Sequence, residues 1–173
     1  MTLYTTMDSP LGELLLVGEE SPTANGGTAL ASLSVPEQRG GAAVRDGWVE
    51  DADALAEIVA QLRSYFDGGR TRFDIEHVEC GSEFQQRVWM AIEAVPYGST
   101  TTYGRIADRI CAPRSAARSV GTAIGANPLL IVRPCHRVIG ADGSLTGYAG
   151  GLERKQRLLL HEGASERVAL AAA

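Results

Sequence analysis

Residues 133–137 confine this chain more tightly than any other segment. Arg133, Pro134, Cys135, His136 and Arg137 place a thiol, an imidazole and two guanidiniums in five consecutive positions. Pro134 fixes its own φ and pushes Arg133 towards an extended conformation, so Cys135 sits on a stiffened backbone. Thiol chemistry depends on the thiolate fraction, which neighbouring positive charge raises. In an extended segment, however, side chains at i and i+1 point to opposite faces, so His136 cannot simply lie against the sulfur of Cys135. Either the chain turns there or a water connects the two groups.

At 173 residues the chain allows one domain or two small ones, with length enough for a real core. Its 45% apolar and 21% charged content is ordinary for a soluble globular protein. No N-terminal segment joins basic residues to an apolar run. The longest apolar candidate, 129–132, is strand length, so neither a leader nor a membrane span is expected. Cys80, Cys111 and Cys135 are odd in number and far apart, which argues against a disulfide framework. With His77, His136 and His161 they form no CxxC or HxxxH spacing. No metal or cofactor is expected, and a reducing cytoplasm is the expected compartment.

The net charge of −5 conceals an asymmetry. Residues 1–83 carry 5 Arg/Lys against 15 Asp/Glu, whereas 84–160 carry 10 against 4. A basic half on an acidic protein is the footprint of a polyanion partner, although a solvated helix face gives the same pattern.

The N-terminal half opens with two short strand candidates, 3–6 and 12–17, around the Ser9-Pro10 turn. Residues 18–47 are rich in Gly, Ser, Pro and Ala and read as loop with one weak strand near 29–35. A helix is expected over 53–66, with Leu55, Ile58, Val59, Leu62 and Phe66 at helical spacing, stopped by Asp67-Gly68-Gly69. A short strand around 73–75 leads to a boundary near 80–82.

In the second half, 84–95 reads as a helix burying Phe84, Val88, Ala91, Ile92 and Val95, ended by Pro96-Tyr97-Gly98. A helix over 102–110 buries Tyr103, Ile106, Ala107 and Ile110. After a turn at 111–114, Ser115 is expected to cap a third helix with Ala116, Val120, Ala123 and Ile124 on its apolar face. Two short amphipathic helices joined by a tight turn resemble a helix-turn-helix, whose second helix faces nucleic acid with its N-terminal residues leading. Arg118 then projects there, with Arg114 just before the helix. Asn127-Pro128 precedes a strand over 129–132, and Asp142-Gly143 signals a hairpin between 138–139 and 145. In Gly147-Tyr148-Ala149-Gly150-Gly151 the backbone can approach a flat ligand closely. A last helix, 152–162, is read with Arg154, Lys155 and Arg157 outward and Leu158 and Leu159 inward. It ends at Glu162, an unfavourable place for a carboxylate unless something binds it. The Ala-rich tail is expected to fray.

Together these residues resemble the O6-alkylguanine-DNA alkyltransferase family, the methylated-DNA–protein-cysteine S-methyltransferases. The resemblance is carried by Asn127-Pro128, Pro134-Cys135-His136-Arg137-Val138-Ile139-Gly140, Phe84-Gln85-Gln86-Arg87-Val88-Trp89 and Pro96-Tyr97-Gly98. Tyr103-Gly104, Ala117-Arg118-Ser119-Val120-Gly121, Gly147-Tyr148-Ala149-Gly150-Gly151 and His161-Glu162-Gly163 add to it. It is strong over 84–163 and weak over 1–80, where the order of elements is the main support. It implies an α/β N-terminal domain over 1–80, ribonuclease H-like, with a small antiparallel sheet and a helix. A mainly α, winged helix-turn-helix, alkyl-acceptor domain over 81–165 follows, then a tail at 166–173.

The resemblance also implies a function: direct-reversal repair of double-stranded DNA, with the alkyl group of O6-alkylguanine, and of O4-alkylthymine, moved irreversibly to Cys135. Each molecule acts once. In this reading His136 serves as base through a water and Glu162 orients it. Tyr103 donates to the purine N3, and Asn127 is the hinge tying the helix-turn-helix to the active-site segment. Val138, Tyr148 and Ala149 hold the base. Arg118 fills the gap left by the flipped nucleotide, with Arg114, Ser115, Ala117 and Arg137 also on the DNA-binding side. The second helix enters the minor groove. No membrane partner is implied, and the chain is expected as a monomer, with cooperative binding along DNA left open.

The residues alone also admit a core aromatic at Tyr103, a solvated helix end at Glu162 and a phosphate contact at Arg118. At the level of function they admit a non-catalytic binder of alkylated DNA or a Cys-His hydrolase. Position 133 departs from the family pattern, being apolar there and Arg here. A buried arginine is costly unless it reaches solvent or a carboxylate. Binding of phosphate, a lowered Cys135 pKa and lowered stability all stay open for it.

Overall fold

The computed structural model describes residues 1–164 and the backbone of 169–170; the remainder of the tail lies outside the described residues. The chain divides into two compact units, Met1–Glu79 and Cys80–Ala173.

In the first unit alternation sets the sheet. Strands β1 (Thr2–Met7) and β2 (Leu14–Glu20) pair antiparallel, with Leu3, Thr5 and Met7 buried along one face of β1. Ser9 and Gly12 close the connecting turn through reciprocal backbone bonds of 3.0 and 3.1 Å. The weak strand expected near 29–35 is a full one, β3 (Thr28–Ser34), which pairs antiparallel with β2. β4 (Val49–Glu50) pairs with β1 in parallel, so the sheet, ordered β3-β2-β1-β4, is mixed rather than wholly antiparallel. The register shifts between Val17 and Gly18. A Cβ on Gly18 would stand 2.6 Å from Thr28 Cγ2 and 2.9 Å from the Ala29 carbonyl oxygen, so only glycine fits against β3.

Helix α1 (Ala56–Phe66) begins later than the expected position 53, after a turn that buries Leu55. It turns Ile58, Leu62 and Tyr65 inward, whereas Val59 and Phe66 are only half-buried. The strand expected at 73–75 does not form. The buried Gln61 amide instead takes both backbone groups of Asp74, accepting from its N–H at 2.9 Å and donating to its carbonyl at 3.0 Å. Sheet-like contact comes two residues on, where Leu30 N–H donates to Glu76 and Val78 N–H to Leu30.

The second unit starts with α2 (Glu83–Glu93), opened by a capping box in which Ser82 and Gln85 satisfy each other's backbone N–H. It buries Val88, Trp89, Ala91 and Ile92, and the Trp89 indole donates to the Ala123 carbonyl at 2.9 Å. Helix α3 (Tyr103–Arg109) is capped by Thr102 Oγ1, and α4 (Ala117–Gly125) follows a 3-10 turn, Arg114–Ala116. Ser115 is therefore not the cap expected of it. It is exposed within that turn, and α4 starts from Ala116 with no side-chain cap, the Ala116 N–H being taken by Pro113.

Strand β5 (Thr101–Thr102) pairs in parallel with β6 (Val138–Ile139). The turn around Asp142-Gly143 forms, closed by Gly140 N–H to Ser144 at 2.8 Å. Its flanks do not pair as a hairpin, because β7 (Ser144–Leu145) joins β8 (Ala169–Leu170) instead. Helix α5 (Leu152–His161) completes the unit. No helix among the described residues is long and apolar enough to cross a membrane.

Gly18→Ala is expected to lower stability by about 1–3 kcal/mol, because the added carbon overpacks a backbone carbonyl that cannot swing away. Denaturant unfolding measures this, and a loss below a few tenths would mean that β3 yields.

Candidate active site

Residues 129–139 are buried throughout, so every backbone polar group there needs a partner. The strand expected over 129–132 is absent. Val132 N–H bonds the Leu130 carbonyl at 2.8 Å around Ile131, whose φ of 71° is rare for a β-branched residue. Arg133 N–H reaches back to Leu129 at 3.0 Å. The Asn127 side chain adds two more bonds: its oxygen accepts from Leu129 N–H at 3.0 Å and its nitrogen donates to the Arg133 carbonyl at 3.0 Å.

At Pro134 the chain makes an inverse γ-turn, with φ −80°, ψ 61° and Cys135 N–H donating to the Arg133 carbonyl at 2.7 Å. A 3-10 turn, Cys135–Arg137, follows directly. The chain thus turns at the thiol, and the opposite-face geometry of an extended segment does not apply.

His136 is fully buried, and its Nε2 lies 2.8 Å from Glu162 Oε2. Arg137 grips the same carboxylate with a fork, Nε to Oε1 at 2.7 Å and Nη2 to Oε2 at 3.0 Å, while Nη1 donates to the Val95 carbonyl at 2.7 Å. Burial works against ionisation of Glu162, but His136 and Arg137 outweigh it and hold the carboxyl well below the usual carboxylate range. An ionised Glu162 only accepts, so His136 Nε2 carries the proton and Nδ1 keeps a lone pair. Burial, which outweighs Glu162 here, lowers the pKa of His136 and favours that neutral ring. Nδ1 itself is buried with no hydrogen-bond partner among the described residues. Arg137, expected on the DNA-binding side, is instead buried and wholly engaged within the protein; Glu162 needs it there.

Burial pushes the Cys135 thiol up, opposed by a hydrogen bond from the Asn127 side chain and by the charges of Lys155 and Arg133. Lys155 corrects another expectation. Far from facing outward, it is almost fully buried, and Nζ donates to the Val138 carbonyl at 2.6 Å and the Gly147 carbonyl at 2.8 Å. Burial brings its pKa down to about 8. The signal was in the sequence, since 155, 158, 159 and 162 fall on one helical face. Tyr148 hangs over the same site with its hydroxyl buried and unpartnered among the described residues. Its pKa is raised well above 10 by burial and then by the Cys135 and Glu162 charges.

The β5–β6 pairing sets Thr102 beside Ile139, so Tyr103 enters α3 next to the exit of the cysteine turn. Its hydroxyl accepts from Thr146 Oγ1 at 3.3 Å. Arg118 is exposed on the first turn of α4, Ala117 is half-buried, and Arg114 is exposed in a 2.9 Å ion pair with Asp108. Ala149 is half-buried in the glycine-rich loop and Val138 fully buried. Among the described residues no group of three His, Cys, Asp or Glu side chains could hold a metal ion.

Residues 83–164 match the family model described as 6-O-methylguanine DNA methyltransferase, DNA binding domain, and residues 2–79 match its ribonuclease-like domain. The chain belongs to the 6-O-methylguanine DNA methyltransferase family. The methylated-DNA–protein-cysteine methyltransferase of Mycolicibacterium paratuberculosis is 51% identical over 162 residues, covering 94% of this chain and 93% of the relative. That of Methanosarcina acetivorans is 43% identical over 160 residues, covering 92% and 97%. Among solved structures, Mycobacterium tuberculosis OGT in complex with DNA matches with a TM-score of 0.84 at 48% identity, covering 96% of this chain and 94% of that one. The family's α/β and helix-turn-helix architecture accounts for both units.

Glu162 generates a prediction with a definite sign. Its folded pKa lies below the ordinary 4.5, so its stabilisation is present above pH about 4.5 and is lost as pH falls further. Glu162→Gln is expected to cost about 3–5 kcal/mol by leaving the buried Arg137 charge uncompensated. It should also flatten the acid limb of a stability–pH profile, and an unchanged acid limb would contradict the pairing.

Proposed function

We propose that this chain repairs alkylated DNA by direct reversal, as a single-turnover methylated-DNA–protein-cysteine methyltransferase acting on O6-alkylguanine and, by the same chemistry, O4-alkylthymine. The observation that carries this reading is the buried thiol at the head of a turn whose next residue is a fully buried histidine. Nε2 of that histidine is committed to Glu162 and its Nδ1 is left over as a base.

His136 Nδ1 takes the thiol proton through a water. Cys135 Sγ attacks the alkyl carbon, an S–C bond forms, the C–O6 bond breaks, and guanine leaves as an anion. Tyr103, whose oxygen accepts from Thr146, keeps its own proton to give to purine N3. Lys155, Asn127 and Arg133 favour the thiolate by charge and hydrogen bonding. Val138, Tyr148 and Ala149 hold the extruded base, and Asn127 keeps the acceptor segment in register with α4.

A buried sulfur demands that the nucleotide leave the stack. Arg118 fills the vacated position, with Arg114, Ser115 and Ala117 along the same helix start and α4 in the minor groove. Double-stranded DNA is the partner, engaged by a monomer; a free acceptor thiol suits the reducing cytoplasm.

Mixing the chain with O6-methylguanine DNA and measuring intact mass tests the proposal. One methyl per molecule on the Cys135 peptide is expected, and none on Cys135→Ser. No gain from wild type would leave a binding protein, and turnover beyond one equivalent would mean hydrolysis. DNA affinity should fall steeply as salt rises, because cations at Arg118 and nearby displace counterions. A salt-independent affinity would contradict the DNA-facing role of α4.

A further inference from the structure

Arg133 stands in a position where the family resemblance implies an apolar side chain, and its surroundings are specific. The side chain is 9% exposed. Nε donates to Glu93 Oε1 at 2.9 Å, and Cζ lies 4.6 Å from the centre of the Trp89 ring. Trp89 is itself fixed by its bond to Ala123. Nη1 then reaches Asn127 Oδ1 at 3.4 Å. Nε, Nη1 and one face of the guanidinium are thus committed to Glu93, Asn127 and Trp89 inside the protein.

The Asn127 amide is the group through which such an anchor can act. With Leu129 N–H and Arg133 Nη1 converging on Oδ1, the NH₂ end donates to the Arg133 carbonyl at 3.0 Å, which also accepts the Cys135 N–H at 2.7 Å, so the donor end of the amide is on the side of the cysteine turn. The reverse orientation would set NH₂ against two donors and an oxygen against the Arg133 carbonyl. We propose that Arg133 is a positioning residue for transfer to Cys135: held by Glu93 and Trp89, its guanidinium fixes the Asn127 amide with NH₂ on the carbonyl that opens the cysteine turn, and so favours the thiolate. This rests on Cys135 being the acceptor. The arginine's positive charge acts in the same direction.

Other groups face the sulfur too. Lys155 comes from α5, Tyr148 from the glycine-rich loop, and His136, Arg137 and Glu162 surround the cysteine turn. All are retained in variants at 133, so a difference between variants reports on Arg133 alone.

The test uses the full chain as wild type, Arg133→Met and Arg133→Lys. The Met variant fills the space over Trp89 without charge, and the Lys variant keeps the charge without the fork. Alkylation of Cys135 by iodoacetamide, followed at the Cys135 peptide because Cys80 and Cys111 are exposed, gives the thiol's pH midpoint. Single-turnover methyl transfer from O6-methylguanine DNA gives the rate, and thermal melts report folding.

Arg133→Met is expected to raise the midpoint by about one pH unit and to slow transfer about tenfold at neutral pH, since one unit is tenfold in thiolate. Transfer should recover as pH rises. Arg133→Lys should shift the midpoint in the same direction by less. If Arg133 is structural only, the melting temperatures fall while the midpoints stay at the wild-type value, and the proposal is overturned. Should the Met variant not fold, a wild-type midpoint in Arg133→Lys overturns the amide-holding role by itself. Absence of methyl transfer in wild type speaks against the acceptor reading, whereas the iodoacetamide midpoints still decide the role of Arg133.

Discussion

The second unit is organised around one carboxylate. Glu162 sits at the C-terminal end of α5, where the helix dipole opposes negative charge, and its side chain is wholly removed from water. Such a group is tolerable only with strong donors around it. Arg137 provides a two-pronged one and His136 a third, and both stand in the turn that begins with Cys135. Satisfying Glu162 therefore places the cysteine turn against the end of α5. The same contact selects the tautomer, because a carboxylate that can only accept leaves Nδ1 as the imidazole nitrogen with a lone pair.

The approach to that turn is governed by a different shortage, that of donors and acceptors for an irregular backbone buried on all sides. Neither helix nor sheet supplies them over 129–135. Two three-residue turns and the Asn127 amide do so instead, and the Lys155 ammonium takes the Val138 carbonyl just beyond. Each of these side chains also lies close enough to Cys135 to influence it. Structural and chemical roles coincide here because a dry, low-dielectric pocket makes every unpaired polar group expensive and every charge far-reaching. Burial keeps the resting group a thiol, and the surrounding donors limit how strongly it does so.

Much of this was legible in the sequence for an identifiable reason. Helices α2, α3 and α4 carry periodic apolar faces, and Cys135, His136 and Glu162 lie in a motif specific enough to resemble one family. What escaped was the part with no period. The apolar run 129–132 looks like a strand, yet a side chain two positions upstream satisfies its backbone. Segment 73–75 likewise gives its hydrogen bonds to Gln61 rather than to a neighbouring strand. Ser115 has the chemistry of a cap, but the chain tightens into a 3-10 turn at that point and needs none. Arg133 finds its carboxylate forty positions away on α2, a pairing that only tertiary structure reveals.

Charge shows how far counting residues can carry an interpretation. The ten cations of residues 84–160 gave the second half its basic character. Three of them, Arg133, Arg137 and Lys155, are inside the protein and offer nothing to an external polyanion. Arg114 and Arg157 face Asp108 and Glu153 at 2.9 and 3.9 Å, pairings that water and salt largely loosen. The cations best placed for a phosphate backbone are then Arg105, Arg109 and Arg118, exposed on α3 and α4. A charge excess that looked like a broad basic face resolves into two populations. One is buried around the cysteine turn; the other is exposed and concentrated on the helix pair that a helix-turn-helix presents to DNA.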